Sequence, residues 1–309
     1  MRSRVARGAQ SPNRLATAGH PRVQGGLCCD GTVTDNNADP VLLRSVAERL
    51  ATEAAEFVRR RRVEVFADPQ PDAGKVRAKS TPTDPVTVVD TETERLLRDR
   101  LAELRPGEHI LGEEEGGSTG GRDGLTWVLD PIDGTVNFVY GIETYAVSVG
   151  VQRDGASLAG AVANVPAGAL YSAALGDGAR VQRDGITTPL RSSSAVELSM
   201  SLLGTGFSYA PEQRIRQAEI LTTLLPVVRD VRRMGSCALD LCMVAAGQLD
   251  AYYEDGVHVW DWAAAGLIAA EAGAILRLPA ADGGAGLIVA AAPGIAGALA
   301  DALRRSGAM

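Results

Sequence analysis

Between Leu125 and about Ser192 the apolar residues fall into short runs broken by turn signals, and beyond Ser192 strand and helix patterns alternate. Strands are expected at Thr126–Leu129, Tyr145–Gln152, Leu158–Val165, Ala169–Ala174 and Arg180–Gln182, separated or bounded by Asp154-Gly155, Pro166-Ala167-Gly168, Gly176-Asp177-Gly178 and Asp184-Gly185. That order predicts an antiparallel meander. Strands at Met200–Gly204, Val231–Met234, Leu249–Tyr253, Ala274–Leu278 and Leu287–Ala291 then alternate with helices. The helices run from Pro211 to about Leu225, from Ser236 to Gly247, from Asp261 to Ala272 and onward from Pro293. This α/β order predicts a second layer system with a largely parallel or mixed sheet.

Upstream, Leu42, Val46, Leu50, Ala54, Phe57 and Val58 recur at helical period within Val41–Phe66. Arg59 to Arg62 sit near the end of that helix, where positive charge suits the dipole and a solvated face is the simplest reading. Thr83-Asp84-Pro85 breaks the chain, Val86–Val89 reads as extended, and a second helix from Asp90 ends at Pro106-Gly107. The expected organisation is a disordered or over-extended tail over 1–40, an α+β domain over 41–192 holding metal and phosphate, and an α/β domain over 193–309 completing the site. Residues 1–29 contain five arginines, no acid and no apolar run, a composition compatible with a transit peptide, while no secretory signal is expected there.

The net charge of −7 argues against direct contact with nucleic acid and suits an enzyme whose carboxylates recruit a cation. No run approaches the ~20 uninterrupted apolar residues of a spanning helix, so no membrane partner is expected. Cys28, Cys29, Cys237 and Cys242 form no CxxC or zinc pattern, and reduced thiols in a cytoplasmic protein are the simplest reading.

Acids gather in four segments: Asp84 to Asp90, Gly112-Glu113-Glu114, Trp127 to Asn137, and Trp260-Asp261. Taken singly, Asp90 and Asp261 read as helix caps, and Glu113 with Glu114 as a solvated loop. Asp130-Pro131-Ile132-Asp133-Gly134-Thr135 resists such a reading. Asp130 ends the apolar run Trp127–Leu129, Pro131 fixes a bend, and Gly134 permits close backbone approach. A strand, a tight turn and a helix start would present backbone N–H groups to a phosphate. Two acids three residues apart can grip hard cations, and oxygen ligation without neighbouring Cys or His favours Mg²⁺ over zinc.

The set GEE, WVLDPIDGTVNF and VWDWAAAGLIAAEAG, with DPVTVVD upstream, resembles the inositol monophosphatase family, closest to its bacterial SuhB-type members, from about Val41 to Ile295. The resemblance implies the layered αβαβα sandwich shared with fructose-1,6-bisphosphatases. It also implies Mg²⁺-dependent hydrolysis of inositol monophosphate to myo-inositol and phosphate by a metal-activated water. Glu113, Asp130 and the carbonyl of Ile132 would hold a first Mg²⁺; Asp130, Asp133 and Asp261 a second; a weaker third would lie near Glu113. Thr135, hydrogen-bonded to Asp90, would orient the attacking water with Glu113 and Glu114 close by. The N–H groups of Gly134 and Thr135 would bind phosphate, while Glu254, Gly235, Ser236, Cys237 and Asp133 would hold the polyol beside Asp261. A homodimer and lithium sensitivity are further implications.

Two residues depart from the family pattern. Trp262 follows Asp261 where a small residue or Cys is common, and Cys237 stands where Ala is usual. Cys237 reads as a small buried filler, or as a thiol whose oxidation would slow turnover. Within the same fold, 3′-phosphoadenosine 5′-phosphate, fructose 1,6-bisphosphate and histidinol phosphate are alternative substrates. A bisphosphate would call for an extra basic pocket, for which Arg232-Arg233 is the one candidate outside the tail. A separate reading is a binding partner of the transcription machinery.

Overall fold

The structure is a computed structural model that describes residues 38–66, 76–79, 81–120, 124–279 and 284–309. The expected tail, up to residue 37, lies outside the described residues, as do Cys28 and Cys29.

Helix α1 (Pro40–Val65) is opened by Asp39, whose carboxylate accepts from the Val41 N–H at 2.9 Å, with proline in the first turn where its missing N–H costs nothing. Its buried stripe is Leu43, Ala47, Leu50, Ala51, Ala54 and Val58. A small hairpin, β1 (Val76–Ala78) with β2 (Pro85–Thr87), leads into α2 (Val88–Leu104). Helix α2 starts two residues before the expected Asp90. Thr87 is the cap, and Asp90 is the third helical residue of a capping box, its carboxylate accepting from the Thr87 N–H at 2.9 Å.

Strands β3 (His109–Gly112), β4 (Gly116–Gly117) and β5 (Leu125–Asp133) follow, then α3 (Thr135–Tyr140). The meander is completed by β6 (Ala146–Arg153), β7 (Ala156–Asn164), β8 (Ala169–Ala174), β9 (Ala179–Arg183) and β10 (Ile186–Pro189). These form an eight-stranded sheet in the order β10-β9-β8-β7-β6-β5-β3-β4, antiparallel except where β3 runs parallel to β5. The meander was expected. The short strands β3, β4 and β10 were not, because none is long enough to show a period.

The second half contributes β11 (Leu202–Thr205), α4 (Pro211–Leu224), β12 (Asp230–Arg232), α5 (Cys237–Ala245), β13 (Ala251–Val257), α6 (Val259–Glu271), β14 (Ile275–Arg277), β15 (Gly286–Ala291) and α7 (Ala296–Arg305). Its sheet has the order β12-β11-β13-β15-β14; β11 is parallel to both neighbours, and β15 is antiparallel to both of its own.

Alternation along each strand assigns the layers. Val147, Val149 and Val151 of β6, with Ala159 and Ala161 of β7, share a core with the stripe of α1 and with Val89, Leu97 and Leu101 of α2. The opposite face meets α5 and α6 in a core that also takes Tyr252, Ile288 and Ala290 from the second sheet. The far face of that sheet packs Leu203, Tyr253 and Val289 against Ile220 and Leu224 of α4 and Leu299 and Leu303 of α7. The result is five layers, an αβαβα sandwich. Among the described residues no helix is long and apolar enough to cross a membrane.

Helix α6 lies unusually close to the larger sheet. Gly150 faces Gly160 across the β6–β7 ladder. A Cβ on Gly150 would come 2.8 Å from Cβ of Ala263, and one on Gly160 would come 2.6 Å from Cα of Ala264. Ala263 and Ala264 therefore seat where the sheet has no side chains.

Candidate active site

Strand β5 is buried along its whole length and carries the acids out at its C-terminal end. Residues three apart on a regular strand point to opposite faces. The expected tight turn is instead a continuation of β5 with a register shift between Asp130 and Asp133, and this irregularity lets both acids line one cavity of about 580 Å³. Gly134 then takes φ 92°, and a Cβ there would press within 3.0 Å of the carbonyl oxygens of Thr144 and Gly235. Only glycine suits that junction.

Asp261 arrives from the other half of the chain, in the first turn of α6, with its carboxylate accepting from the His258 N–H at 2.6 Å. Asp133 is held by the start of α5: the Ser236 hydroxyl and the Ala238 N–H, the latter at 2.7 Å, both donate to it. One carboxylate oxygen from each of Asp130, Asp133 and Asp261 lies within 4.8 Å of the others. Asp130 and Asp133 are buried and Asp261 is half-buried.

These acids strain against one another. Burial first, then Glu113, Asp133 and Asp261, push Asp130 well above the usual carboxylate range. Burial likewise raises Asp133 to about 7 against the pull of Ser236 and Ala238, and raises Asp261 well above its ordinary value with help from Asp133. Three carboxylates withdrawn from water and facing each other fit a hard divalent cation, which takes oxygen ligands and supplies the missing charge. Cys237 and His258 also line the cavity, but among the described residues the group within mutual ligand reach consists of carboxylates alone.

Glu113 lines the same cavity, yet it lies outside that group and is paired with Lys79 at 2.8 Å. Lys79 also grips Glu114 at 2.5 Å, and burial followed by Glu113 raises Glu114 to about 7. Asp90 is fully buried behind the cavity, and burial raises it to about 6 against the Thr87 hydrogen bond. The Thr135 hydroxyl lies 3.1 Å from Oδ1 of Asp90 and 3.0 Å from the Ile132 carbonyl oxygen.

On the other wall stand Gly235, Cys237 and Glu254, while Ser236 sits behind them as the cap of α5. Burial raises Glu254, and the Tyr252 hydroxyl, which donates to its Oε2, works against that rise. A Cβ on Gly206 would fall on the Glu254 carboxylate, so this glycine makes room for the acid. Cys237 is buried, as the filler reading expects, and burial pushes its thiol well above its ordinary value.

Several residues at the site escaped the sequence reading. Lys79 is one of only two lysines in the chain but belongs to no motif, Gly206 carries no signal, and Tyr252 lies two residues before Glu254 with nothing to assign it a role. Arg233 does line the cavity. Glu94 was missed although its spacing of four from Asp90 places both on one face of a helix.

Residues 39–308 match the model of the inositol monophosphatase family. The chain is 66% identical over 254 residues to an inositol-1-monophosphatase of Mycobacterium leprae, covering 80% of this chain and 87% of that protein. A solved structure of Mycobacterium tuberculosis SuhB superposes with a TM-score of 0.75 at 58% identity, covering 88% of this chain and 98% of that one. A protein of Pasteurella multocida named Nus factor SuhB is 37% identical over 199 residues, 64% of this chain and 73% of its own. With the sandwich, the acid cluster and these likenesses together, the chain belongs to the inositol monophosphatase family and is a phosphoric monoester hydrolase.

Proposed function

We propose that this chain hydrolyses inositol monophosphate to myo-inositol and phosphate with Mg²⁺ as its cofactor. The observation that carries the reading is the meeting of Asp130, Asp133 and Asp261 within 4.8 Å in a cavity whose other wall presents Glu254. Asp130, Asp133, Asp261, Glu113 and the Ile132 carbonyl would hold the cations. Bound there, Mg²⁺ would neutralise phosphoryl oxygens and favour ionisation of the attacking water.

The chain's own groups supply the orientation. The Thr135 hydroxyl has two acceptors, Asp90 and the Ile132 carbonyl, so its proton is committed and its oxygen remains free to accept from a water. That polarity suits a residue that orients a nucleophile and draws off its proton. Asp90 is itself fixed by two Thr87 donors, which keeps the relay from turning. Phosphate monoesters hydrolyse so slowly that catalysis must remove roughly 20 kcal/mol of barrier, which places a premium on such fixed groups. On the leaving-group side, Glu254 is an acceptor suited to a polyol hydroxyl, and a hydroxyl-rich substrate matches the polar wall it stands in.

The test is phosphate release from myo-inositol 1-phosphate with and without Mg²⁺, beside fructose 1,6-bisphosphate and 3′-phosphoadenosine 5′-phosphate. Mg²⁺-dependent preference for the inositol ester, abolished in Asp130→Asn, is the expected result. Preference for a bisphosphate would overturn the substrate and turn attention to Arg233. The Pasteurella relative's name favours one further role, as a partner of the transcription machinery; retention of RNA polymerase by Asp130→Asn would separate that role from catalysis.

A further inference from the structure

Helix α2 holds two parts of the site from one face. Asp90, in its first turn, takes the Thr135 hydroxyl. One turn on, Glu94 has no exposed surface, and its carboxylate reaches the turn that carries Glu113. Oε2 of Glu94 accepts from the Glu114 N–H at 2.8 Å and Oε1 from the Glu115 N–H at 3.0 Å. Arg98, again one turn on, donates to Oε1 from Nε at 2.9 Å and from Nη2 at 2.7 Å, and ties down the Gly116 carbonyl at 2.5 Å. A buried carboxylate is tolerated only when its lone pairs and charge are met, and here two backbone donors and one guanidinium meet them.

The backbone has been shaped around this contact. A Cβ on Gly112 would land on the Glu94 carboxylate, so the residue before Glu113 has to be glycine for Glu94 to reach its donors.

We infer that Glu94 is a positioning residue, whose buried carboxylate, braced by Arg98, sets the Glu113–Glu115 turn at a fixed reach from Thr135 and thereby tunes the affinity of the divalent-cation site. The inference rests on the reading of Glu113 as a cation ligand. Glu94 touches neither substrate nor cation. Its effect passes through the backbone of the turn, because the Glu113 side chain departs from the residue immediately before the first amide that Glu94 holds.

Glu94→Gln keeps the shape but offers one acceptor oxygen in place of two and removes the charge facing Arg98. Mg²⁺ affinity of the purified full chain, read by isothermal titration calorimetry, should weaken by about 10- to 100-fold, the range typical for groups that orient a metal ligand. Amide exchange at Glu114 and Glu115 should quicken. The kcat should recover at saturating Mg²⁺, with KM for the phosphate ester unchanged. A residue that only supported the fold would lower the melting temperature and leave the Mg²⁺ affinity of the folded protein where it was. Gly112→Ala displaces the same contact with Glu94 intact and should weaken Mg²⁺ binding as well; it decides the matter if Glu94→Gln does not fold. Unchanged affinity in a folded variant overturns the inference, whatever the exchange rates. A wild-type chain that binds no Mg²⁺ would remove the proposed function and the inference together, whereas normal binding by wild type and variant alike removes the inference alone.

Discussion

Gly150 lies directly opposite Gly160 in the β6–β7 ladder, and the pair forms the hollow in which Ala263 and Ala264 of α6 rest. The contact begins two residues after Asp261 in the chain. The depth to which α6 sinks into the sheet therefore sets where the third carboxylate stands relative to Asp130 and Asp133, which belong to the sheet itself. The site is assembled by a packing decision made on the side chains that are absent.

Gly160→Ala tests that dependence. Gly160 is not among the glycines with positive φ, so the added methyl acts through space and not through the backbone. It meets the backbone of Ala264 at 2.6 Å, and either α6 or β7 must move. The expected cost is about 1–3 kcal/mol, the usual range for overpacking, measured by urea denaturation. Mg²⁺ affinity should fall with it because Asp261 is displaced. Normal stability with normal Mg²⁺ binding would mean that the helix has slack to spare.

Asp130→Asn should reverse its effect on stability with the metal. Without divalent cations, replacing a buried carboxyl that its acidic neighbours keep from ionising by a neutral amide should leave the protein at least as stable as wild type. With Mg²⁺ the order should invert, since wild type gains about 2.7 kcal/mol at a hundredfold excess over its dissociation constant and the variant gains little. Paired melting curves with EDTA and with Mg²⁺ give the answer. Equal Mg²⁺ stabilisation of both proteins would take Asp130 out of the cation site.

What could be read from the chain alone follows the range of the interactions. The long amphipathic stripe of α1, the meander and the alternation after Ser192 were legible because each rests on a local period. Asp130, Asp133 and Asp261 could be named as a set only through resemblance, since nothing in composition or spacing brings residues more than a hundred positions apart into one cavity. The nature of the Asp130–Asp133 segment was misjudged: proline and glycine suggested a tight turn, whereas the ladder to β6 carries the strand on to Asp133 through a register shift. The expected cap, Asp90, falls one helical turn too late, because Thr87 and Asp90 share the box and either residue type can open a helix. Glu94 and Tyr252 were invisible as site residues. Each acts on another residue and not on the cavity, so its importance exists only in three dimensions.

Asp90 gives a pH dependence with a definite sign. Burial holds its folded pKa at about 6, against an ordinary value of 3.8, so over that interval the folded chain binds a proton the unfolded chain has released. Its contribution to stability is full below about pH 4 and is lost as pH rises through 6. Asp133 and Glu114, both held at about 7, extend the same trend upward. In metal-free protein, Asp90→Asn lacks the first of these terms, so its stability relative to wild type should improve from pH 4 to 7 and then level off. Chemical denaturation at several pH values with EDTA measures the difference. A difference that stays flat across that range would mean that Asp90 carries its charge in the fold as easily as in water.

Tyr252→Phe separates the Glu254 wall of the cavity from the cluster of Asp130, Asp133 and Asp261. The Tyr252 hydroxyl is buried and donates to Oε2 of Glu254, and Gly206 leaves the space that Glu254 occupies, so the carboxylate has one orientation fixed from behind. Removing the hydroxyl takes away a hydrogen bond to an acid, typically worth about 1.5–3 kcal/mol in place, part of which is regained as the carboxylate finds water in the cavity. The residue would then meet a polyol hydroxyl less well aligned. KM for myo-inositol 1-phosphate should rise by about three- to tenfold, a net loss near 1 kcal/mol, while KM for p-nitrophenyl phosphate, which has no hydroxyl to offer, should not change. Because the acids proposed to hold the cations are untouched, the Mg²⁺ concentration giving half-maximal rate should also hold steady. An equal rise in KM for both esters would place Tyr252 in general support of the fold, and no rise for either would remove Glu254 from substrate recognition.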